Sequence, residues 1–324
     1  MNNIMSIGIA IIGTGRIAEV GFIPAISKAN GAKIVSILSR DMLRGEKFAK
    51  KHGINSVYTD IDLLLKDPLV DAVIVCTPDA MHESQVIKAC RSGKHVLCEK
   101  PMSTSVNSCL EMIAEIEKSK IIFAMGFNNR FNAGLKYIKN IIKNNEIGQI
   151  RYARAFVTTP QNDPNGWRAI GKQSAFWALS ATGTHMIDIW RWYFGNPSSI
   201  CASYTSPLYG GPNDEISNII FEYKDKLLAE ITAAAILPRA NRIEVYSETE
   251  SIVGENVFGI VTDEIIFRNG KKVDINPCDS FFEEVSDFID SINRNAEPNS
   301  TYKDGLENLM IMEKSREHNF PVDL

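Results

Sequence analysis

A strand followed directly by a glycine-rich turn constrains the fold of this chain more than any other feature. Residues 7–12 form an apolar run, which is typical of a strand buried on both faces. Gly13, Thr14 and Gly15 follow at once, and residues 17–28 then have helical character. This order is typical of a dinucleotide-binding fold, in which the first glycine permits a tight turn and the second lets the backbone approach a pyrophosphate. Glycine pairs after strands also occur in plain turns, so the pattern needs support from the rest of the chain.

The first 125 residues supply that support by alternating strand-like and helical segments. The strand-like runs are residues 7–12, 34–38, 72–76, 95–98 and 121–125. Stretches between them, such as 44–52 and 83–91, carry helix formers with charge on one face. Gly53 and Gly93 stand where these helices should end. The alternation predicts an α/β domain of the Rossmann type, with a doubly wound parallel sheet.

The character of the sequence changes after residue 125. A helical stretch over 135–144 leads into segments that favour strands, several of which alternate apolar and polar side chains. These segments are 150–158, 200–206, 216–223, 227–235, 243–248 and 264–268, and helical stretches at 281–293 and 304–318 close the chain. The pattern predicts an α+β domain with a large open, mostly antiparallel sheet.

The length of 324 residues favours two domains. We predict a dinucleotide-binding domain over residues 1–125, followed by a substrate-binding and oligomerisation domain over 126–324.

Composition and charge exclude several classes of protein. The formal net charge of −4 and the pI near 5.8 give no support for binding a polyanion, so no nucleic acid is expected as a partner. The six cysteines include no CxxC pair, which favours a reducing cytoplasm over a disulfide framework or a zinc site. The apolar run near the N-terminus is short and has no preceding lysine or arginine, unlike a secretory signal. No run reaches membrane-spanning length, so no membrane partner is expected.

The end of the second strand-like run bears on which nucleotide is bound. Many dinucleotide folds place an acidic residue there to hold the adenosine ribose, but this chain has Ser39 followed by Arg40. A guanidinium can bind a 2′-phosphate in a bidentate manner and stack on adenine, which favours NADP. NAD remains the alternative, because Asp41 is close enough in sequence to hold a ribose and an arginine at a helix start is often merely solvated.

Side chains after the next two strand-like runs are expected in the same crevice, since ligands bind at the carboxyl edge of such sheets. Thr77, Pro78 and His82 follow one run, and Glu99 and Lys100 follow the other. A partly desolvated lysine at a strand end is suited to proton transfer. Taken alone, the histidine is equally an ordinary residue at a helix start, and a lysine before a proline is usually a surface residue.

Five short motifs occur in order along the chain. They are GTGRIA at 13–18, TPDAMH at 77–82, CEKP at 98–101, GFNNRF at 126–131 and GTHMID at 183–188. Together they are similar to those of the glucose-fructose oxidoreductase and inositol dehydrogenase family, the Gfo/Idh/MocA family, over essentially the whole chain. The resemblance implies NAD(P)-dependent oxidation or reduction of a secondary alcohol or carbonyl group on a sugar, sugar derivative or polyol. It also implies a homodimer or homotetramer that forms through the sheet of the second domain.

The resemblance further implies a catalytic lysine, histidine and aspartate. The lysine and the histidine correspond to Lys100 and His185, with the histidine as base on the hydroxyl group and the lysine bound to the same oxygen. The aspartate position, four residues before the histidine, holds Ala181. Three interpretations are open: Asp188 supplies the carboxylate from one turn later, the other two residues suffice, or efficient dehydrogenase chemistry has been lost. The last interpretation makes the chain a noncatalytic NADP(H)-binding sensor or assembly protein.

Trp167 and Arg168 resemble a family pair beside the nicotinamide and the substrate, although as a bare sequence feature they are an aromatic residue next to a charge in a loop. The predicted cofactor-binding residues are Gly13, Thr14, Gly15, Arg16, Ile17, Ser39, Arg40, Thr77, Pro78, His82, Glu99, Lys100, Trp167 and Arg168. No metal is predicted, because the five histidines show no ligand spacing.

Overall fold

A computed structural model of the protein describes residues 6–161, 163–260 and 263–317. The chain divides into two compact units. The first contains the residues up to Asn128 together with Phe281–Leu306, and the second contains Asn129–Ser280 together with the residues from Glu307 onward. The domain boundary at residue 125 remains a prediction. The sequence did not indicate that Phe281–Leu306 would belong to the first unit.

The first unit is built on a six-stranded parallel sheet. Its strands are β1 (Ile7–Ile12), β2 (Ala32–Leu38), β3 (Ser56–Tyr58), β4 (Ala72–Val75), β5 (His95–Glu99) and β6 (Phe123–Gly126). They lie in the order β3-β2-β1-β4-β5-β6, so the chain starts in the middle of the sheet and winds outward in both directions. All residues of β1 and β4 are buried, because helices cover both faces of the sheet. The predicted doubly wound α/β fold is confirmed, with β3 as a strand that the prediction lacked.

The helices of the first unit begin and end at the residues that the sequence favours. They are α1 (Ile23–Lys28), α2 (Met42–His52), α3 (Ile61–Lys66), α4 (His82–Arg91) and α5 (Val106–Ser119). The Asp41 side chain accepts a hydrogen bond at the start of α2, and Gly53, with φ of 67°, ends that helix. The predicted helix over 17–28 is present, but its first part, Ala18–Phe22, is a π-helical turn.

The C-terminal helix α8 (Ser280–Arg294) packs within the first unit. Its Phe281 ring meets Phe22 edge to face, with ring centroids 5.2 Å apart, and takes the space that a side chain at Gly21 would need. Farther along, the Met125 N–H donates to the Ser300 carbonyl at 3.1 Å. The last helix, α9 (Tyr302–Glu317), covers the predicted stretch 304–318 except for residue 318, which lies outside the described residues.

The second unit contains an eight-stranded sheet. Its strands are β7 (Ile150–Thr158), β8 (Ser199–Thr205), β9 (Ile216–Glu222), β10 (Leu228–Ala234), β11 (Ala240–Ser247), β12 (Ser251–Glu255), β13 (Ile265–Arg268) and β14 (Lys271–Val273). They lie in the order β14-β13-β12-β11-β7-β10-β9-β8. All neighbouring pairs are antiparallel except β7 with β10. The predicted large, mostly antiparallel sheet is confirmed, and β12 and β14 are additions to the predicted set.

Side chains alternate between the two faces of this sheet. Along β7, Ala153, Ala155 and Val157 are buried, whereas Arg154 and Phe156 are exposed. The buried face lies against α7 (Thr184–Phe194). The indole N–H of Trp190 on this helix donates to the Glu230 carbonyl at 3.2 Å. The helix α6 (Ala133–Lys143) precedes the sheet, over the stretch predicted as helical. One face of the sheet is therefore packed and the other is open, as the alternating pattern predicts.

Within the described residues, no helix is both long and apolar enough to cross a membrane. None of the six cysteines, which all lie in the described ranges, takes part in a disulfide bond, and four of them are buried.

Candidate functional site

The glycine-rich turn after β1 leaves open space where a phosphate group fits. Gly13 has φ of 111°, and a Cβ atom there would lie 3.0 Å from the Cys76 carbonyl oxygen, so only glycine suits this turn. At Gly15, by contrast, a Cβ atom would meet no heavy atom of the described residues within 4 Å. Helical hydrogen bonding starts immediately afterward, since the Glu19 N–H donates to the Gly15 carbonyl at 3.2 Å. A cradle of backbone at a helix start fits the pyrophosphate of a dinucleotide.

Two arginines follow β2, and one of them contacts this cradle. Ser39 is buried, and its N–H donates to the Tyr58 carbonyl at 2.9 Å, whereas Arg40 is exposed. The Arg44 guanidinium, also exposed, donates from Nη2 to the Thr14 carbonyl of the glycine turn at 2.8 Å. Sequence reasoning missed Arg44. Its position in the first turn of α2, three residues after the Asp41 cap, was the available signal, because a helix that follows β2 begins at the same sheet edge.

Asp41, whose carboxylate could hold the ribose of NAD, caps helix α2 in this structure. Its Oδ1 accepts from the Arg44 N–H at 2.7 Å and caps α2. The carboxylate is thus already hydrogen-bonded to the helix start.

The loop after β4 is held by its own side chains. The Thr77 hydroxyl donates to Oε1 of Gln85 at 2.6 Å, and Pro78 precedes a short 3-10 turn. His82 is fully buried, and both of its ring nitrogens face backbone carbonyl oxygens. Its contacts in this structure are therefore with the protein backbone, and its predicted contact with the cofactor remains a prediction.

Glu99 and Lys100 stand at the carboxyl end of β5, and both are buried, with 8% and 9% exposure. The backbone N–H of Lys100 donates to Oε2 of Glu99 at 3.1 Å. Gly126 on β6 packs against the same corner, because a Cβ atom there would lie 3.0 Å from the Glu99 Cα atom. The corner is therefore fixed by tight backbone packing as well as by a hydrogen bond.

These segments share one edge of the first unit. β1, β2, β4 and β5 are parallel and adjacent, so their carboxyl ends lie side by side. β1, β2 and β4 end shortly before residues 13–17, 39–40 and 77–82, and β5 ends at Glu99, directly before Lys100.

A buried carboxyl group, Glu284 on α8, lies close enough to Glu99 to feel its charge. It is 2% exposed, and neither of its side-chain oxygens has a hydrogen-bond partner among the described residues. Burial raises the pKa of Glu284 well above its ordinary value of 4.5, and the negative charges of Glu99 and Asp287 raise it further. Burial and these neighbouring charges therefore favour the protonated, neutral form of Glu284.

This raised pKa makes stability depend on pH. When the pKa of a carboxyl group is higher in the folded than in the unfolded protein, its full contribution to the free energy of unfolding is present below the unfolded-state pKa. That contribution is lost as the pH rises through the folded-state pKa. Relative to wild type, Glu284→Gln should therefore gain unfolding free energy as the pH rises above 4.5, by up to about 1.4 kcal/mol per pH unit. Urea unfolding at a series of pH values measures this, with Glu283→Gln on the same helix as the control. Parallel stability curves for wild type and Glu284→Gln would show that the acid does not titrate in this way.

In the second unit, His185 lies in the first turn of α7 and is half-buried. A π-helical turn, Leu179–Gly183, precedes it and contains Ala181. The carboxylate of Asp214 holds the start of this turn, because its oxygens accept from the backbone N–H groups of Trp177 at 2.7 Å and Leu179 at 2.8 Å. The helix that carries His185 is thus anchored at its beginning.

Asp188, one turn after His185, forms an ion pair with Arg130. Its Oδ2 accepts from Nε at 2.9 Å and its Oδ1 from Nη2 at 2.6 Å, and both side chains are buried. A bidentate pair of this kind uses both carboxylate oxygens and balances the charge. This contact weakens the interpretation in which Asp188 replaces the missing aspartate of the motif.

Trp167 and Arg168 stack on one another in the loop that precedes α7. The guanidinium carbon lies 4.0 Å from the centroid of the indole. The side-chain amide of Asn213 donates to the Arg168 carbonyl at 2.6 Å and so fixes the loop. Both residues belong to the second unit, as does His185. Within the ranges that the structure describes, no group of three or more His, Cys, Asp or Glu side chains is arranged to hold a metal ion.

Comparison with protein families gives two matches in succession. Residues 7–127 match an oxidoreductase family with an NAD-binding Rossmann fold, GFO_IDH_MocA, and residues 135–253 match the GFO/IDH/MocA C-terminal domain. The chain belongs to the GFO/IDH/MocA oxidoreductase family. The first unit of this family member is accordingly an NAD-binding Rossmann domain, and the predicted family resemblance is confirmed.

Relatives of this GFO/IDH/MocA protein match over most of their length. Myo-inositol 2-dehydrogenase of Thermotoga maritima is 28% identical over 318 residues, covering 94% of this chain and 93% of the relative. The 1,5-anhydro-D-fructose reductase of Ensifer adhaerens is 27% identical over 319 residues, covering 92% of each chain. The fold is shared with the crystal structure of aldose-aldose oxidoreductase from Caulobacter crescentus, with a TM-score of 0.90 at 22% identity over 96% of this chain and 98% of the other.

Proposed function

We propose that this chain is an NADP(H)-dependent oxidoreductase that interconverts a secondary alcohol and a carbonyl group on a sugar, sugar derivative or polyol. The observation that carries the proposal is the single sheet edge that presents the glycine cradle, the two arginines and the buried lysine of the first unit. The substrate class rests on the relatives, which include an inositol dehydrogenase and an anhydro-fructose reductase.

The arginine pair favours NADP over NAD. Arg40 and Arg44 are both exposed, one before and one after the Asp41 cap of α2, and the guanidinium of Arg44 already lies against the glycine turn. Guanidinium groups bind a phosphate dianion with strong, charge-assisted hydrogen bonds. The acid that would bind an unphosphorylated ribose, Asp41, caps a helix instead. NAD is the alternative nucleotide.

Lys100 and His185 handle the proton of the reacting hydroxyl group. When bound, the nicotinamide accepts or supplies the hydride, and the protein provides position and proton transfer. His185 takes the hydroxyl proton during oxidation and returns it during reduction. Lys100 donates a hydrogen bond to the same oxygen and stabilises the negative charge that develops there. With Ala181 at the aspartate position and Asp188 bound to Arg130, we propose that Lys100 and His185 suffice for the proton transfer.

One observation favours a second candidate function. Ala181 can neither orient His185 nor raise its basicity, as a carboxylate in its place would. A protein that keeps the nucleotide cradle without efficient chemistry would serve as a noncatalytic NADP(H)-binding sensor or assembly partner.

Calorimetric titration with NADPH and NADH, followed by absorbance at the reduced-nicotinamide band with a panel of aldoses, ketoses and inositols, tests both functions. Tight NADPH binding with turnover on a panel member supports the oxidoreductase. Tight binding without turnover on any panel member favours the noncatalytic function. Failure to bind either nucleotide overturns both.

We further propose that the open face of the second-unit sheet is the surface through which two copies associate, in a homodimer or within a homotetramer. This face has a depression of about 360 Å³ lined by Arg154, Ala155, Phe156, Glu230, Thr232, Arg242 and Glu244. Phe156 is 39% exposed there, and charges of both signs surround it. An apolar centre with mixed charges around it suits a self-complementary contact about a twofold axis.

A charge at the centre of this face should dissociate the oligomer. Phe156→Glu removes apolar contact area worth about 2 kcal/mol per copy and places a charge in the interface, so a largely monomeric protein is expected at micromolar concentration. Sedimentation velocity measures the mass. Leu208→Glu, which changes an exposed leucine outside the sheet, is the control and should stay oligomeric. A wild-type protein that sediments as a monomer would refute the proposed interface.

The absence of disulfides among the cysteines of the described residues agrees with a reducing compartment, and we propose the cytoplasm.

A further inference from the structure

The histidine at the start of α4 joins two loops of the nucleotide-binding edge. His82 has no exposed surface, and a buried polar ring needs hydrogen-bond partners. Its Nδ1 lies 3.0 Å from the Pro101 carbonyl oxygen, and its Nε2 lies 2.9 Å from the Thr77 carbonyl oxygen. Pro101 directly follows Lys100, and Thr77 belongs to the loop after β4. One imidazole ring therefore spans the carboxyl ends of two neighbouring strands.

The contact with His82 involves the only backbone group of Pro101 that can form a hydrogen bond. Proline has no N–H group, so its carbonyl oxygen is the only backbone atom through which hydrogen bonding can fix it. On the other side of the same corner, the Lys100 N–H is held by the Glu99 carboxylate at 3.1 Å. The backbone at Lys100 is thus fixed on both sides. The Glu99 side chain binds its N–H group, and His82 contacts the carbonyl group of the next residue, Pro101.

A neutral imidazole ring can donate to only one of these two carbonyl oxygens. A carbonyl oxygen only accepts hydrogen bonds, so each ring nitrogen needs a proton to bond to it. A neutral imidazole carries one such proton, and the tautomer decides which carbonyl group is bound. A side chain with a single donor at the position of Nδ1 can therefore replace the bond to Pro101 alone.

We propose that His82 is a positioning residue for the reaction, and that its Nδ1–H bond to the Pro101 carbonyl sets the place of Lys100. In this role His82 acts through the backbone at Lys100, since both of its ring nitrogens face backbone carbonyl oxygens. The effect on the rate rests on the proposed function, whereas the effect on the amine of Lys100 does not.

Three variants separate the two bonds. His82→Asn keeps a donor close to the position of Nδ1, His82→Gln keeps one close to the position of Nε2, and His82→Phe keeps the ring shape without donors. The matched control is His95→Phe, since His95 lies at the opposite end of β5 and its Nδ1 accepts from the Ile122 N–H at 3.0 Å. Both Phe variants lose histidine hydrogen bonds, but only one loses the bond at the Lys100 corner.

We expect kcat to fall about 30-fold in His82→Phe and His82→Gln, because misplacement of a catalytic group by about 1 Å is worth up to about 100-fold. His82→Asn should stay within about threefold of wild type, and the NADPH dissociation constant should change less than about threefold in all three. In a Lys100→Ala background, His82→Phe should lower kcat no further, since both changes remove the same contribution. An equal fall in kcat in the presence and absence of Lys100 would overturn the proposal.

A second readout needs no turnover. Limited acylation with acetic anhydride, followed by mass spectrometry of the peptide that contains Lys100, reports the reactivity of its amine. His82→Phe and His82→Gln should change the labelling rate of Lys100 severalfold relative to wild type, whereas His82→Asn and His95→Phe should not. If no substrate is turned over but this pattern holds, the proposed function fails and the positioning role stands. If His82→Phe and His95→Phe label alike, the positioning role is wrong.

Discussion

Lys100→Ala is expected to lower kcat by about 10³-fold while the NADPH dissociation constant changes less than about threefold. The side chain is buried at the carboxyl end of β5, where the Glu99 carboxylate fixes its backbone. A lysine ammonium in such a place stabilises negative charge on the reacting oxygen more strongly than it would in water. Because that charge develops in the transition state, its loss should appear in kcat and not in nucleotide binding.

Steady-state rates and calorimetry on the same preparations measure this separation. Lys88→Ala serves as the control, because Lys88 is an exposed lysine paired with Asp62 on the surface. A Lys100→Ala protein that keeps its full rate would remove Lys100 from the chemistry. A protein that loses nucleotide binding and rate together would make Lys100 a binding residue only.

Replacement of both Arg40 and Arg44 by alanine is expected to weaken NADPH binding by about 10³-fold. Each charge-assisted hydrogen bond to a phosphate is worth about 1.5–3 kcal/mol, and the two arginines act on the same group. NADH lacks the 2′-phosphate, so its dissociation constant should change less than about threefold. The Arg44 variant alone also loses the contact with the Thr14 carbonyl, which holds the arginine against the glycine turn.

Calorimetric titration of both nucleotides at one salt concentration measures the difference. Arg91→Ala is the control, since Arg91 pairs with Glu115 on the surface away from the strand ends. Equal weakening of NADPH and NADH would show that the arginines contribute general positive charge and do not select the 2′-phosphate. The preference for NADP would then be wrong.

The first sheet was predictable from the sequence because its main strands are uninterrupted apolar runs between helix signals. The strand that was missed, Ser56–Tyr58, has three half-buried residues and no such run. In the second sheet, Lys271–Val273 was missed for a similar reason, since it is short and largely exposed. The π-helical turns also have no recognisable sequence pattern here.

At the candidate site, local sequence patterns did not predict the hydrogen-bond partners of Asp188 and Arg44, because these partners lie far away in the sequence. Helical spacing placed Asp188 beside His185, but its partner Arg130 lies 58 positions earlier in the chain. Arg44 likewise reaches the glycine turn 30 positions away. Periodicity reports which face of an element is buried, whereas such pairings depend on the packing of separate elements.

Direct hydride transfer between the nicotinamide and a carbinol carbon is the reaction proposed for this protein. The measurement that tests it incubates the enzyme with NADPH that carries deuterium at both positions of nicotinamide C4 and a panel of keto-sugars and keto-inositols. The products are then examined by mass spectrometry. We expect a product with one deuterium on a carbinol carbon, formed by wild type and reduced about 10³-fold in Lys100→Ala. Tight NADPH binding with no deuterated product from any panel member would contradict the claim and leave a nucleotide-binding protein without this chemistry.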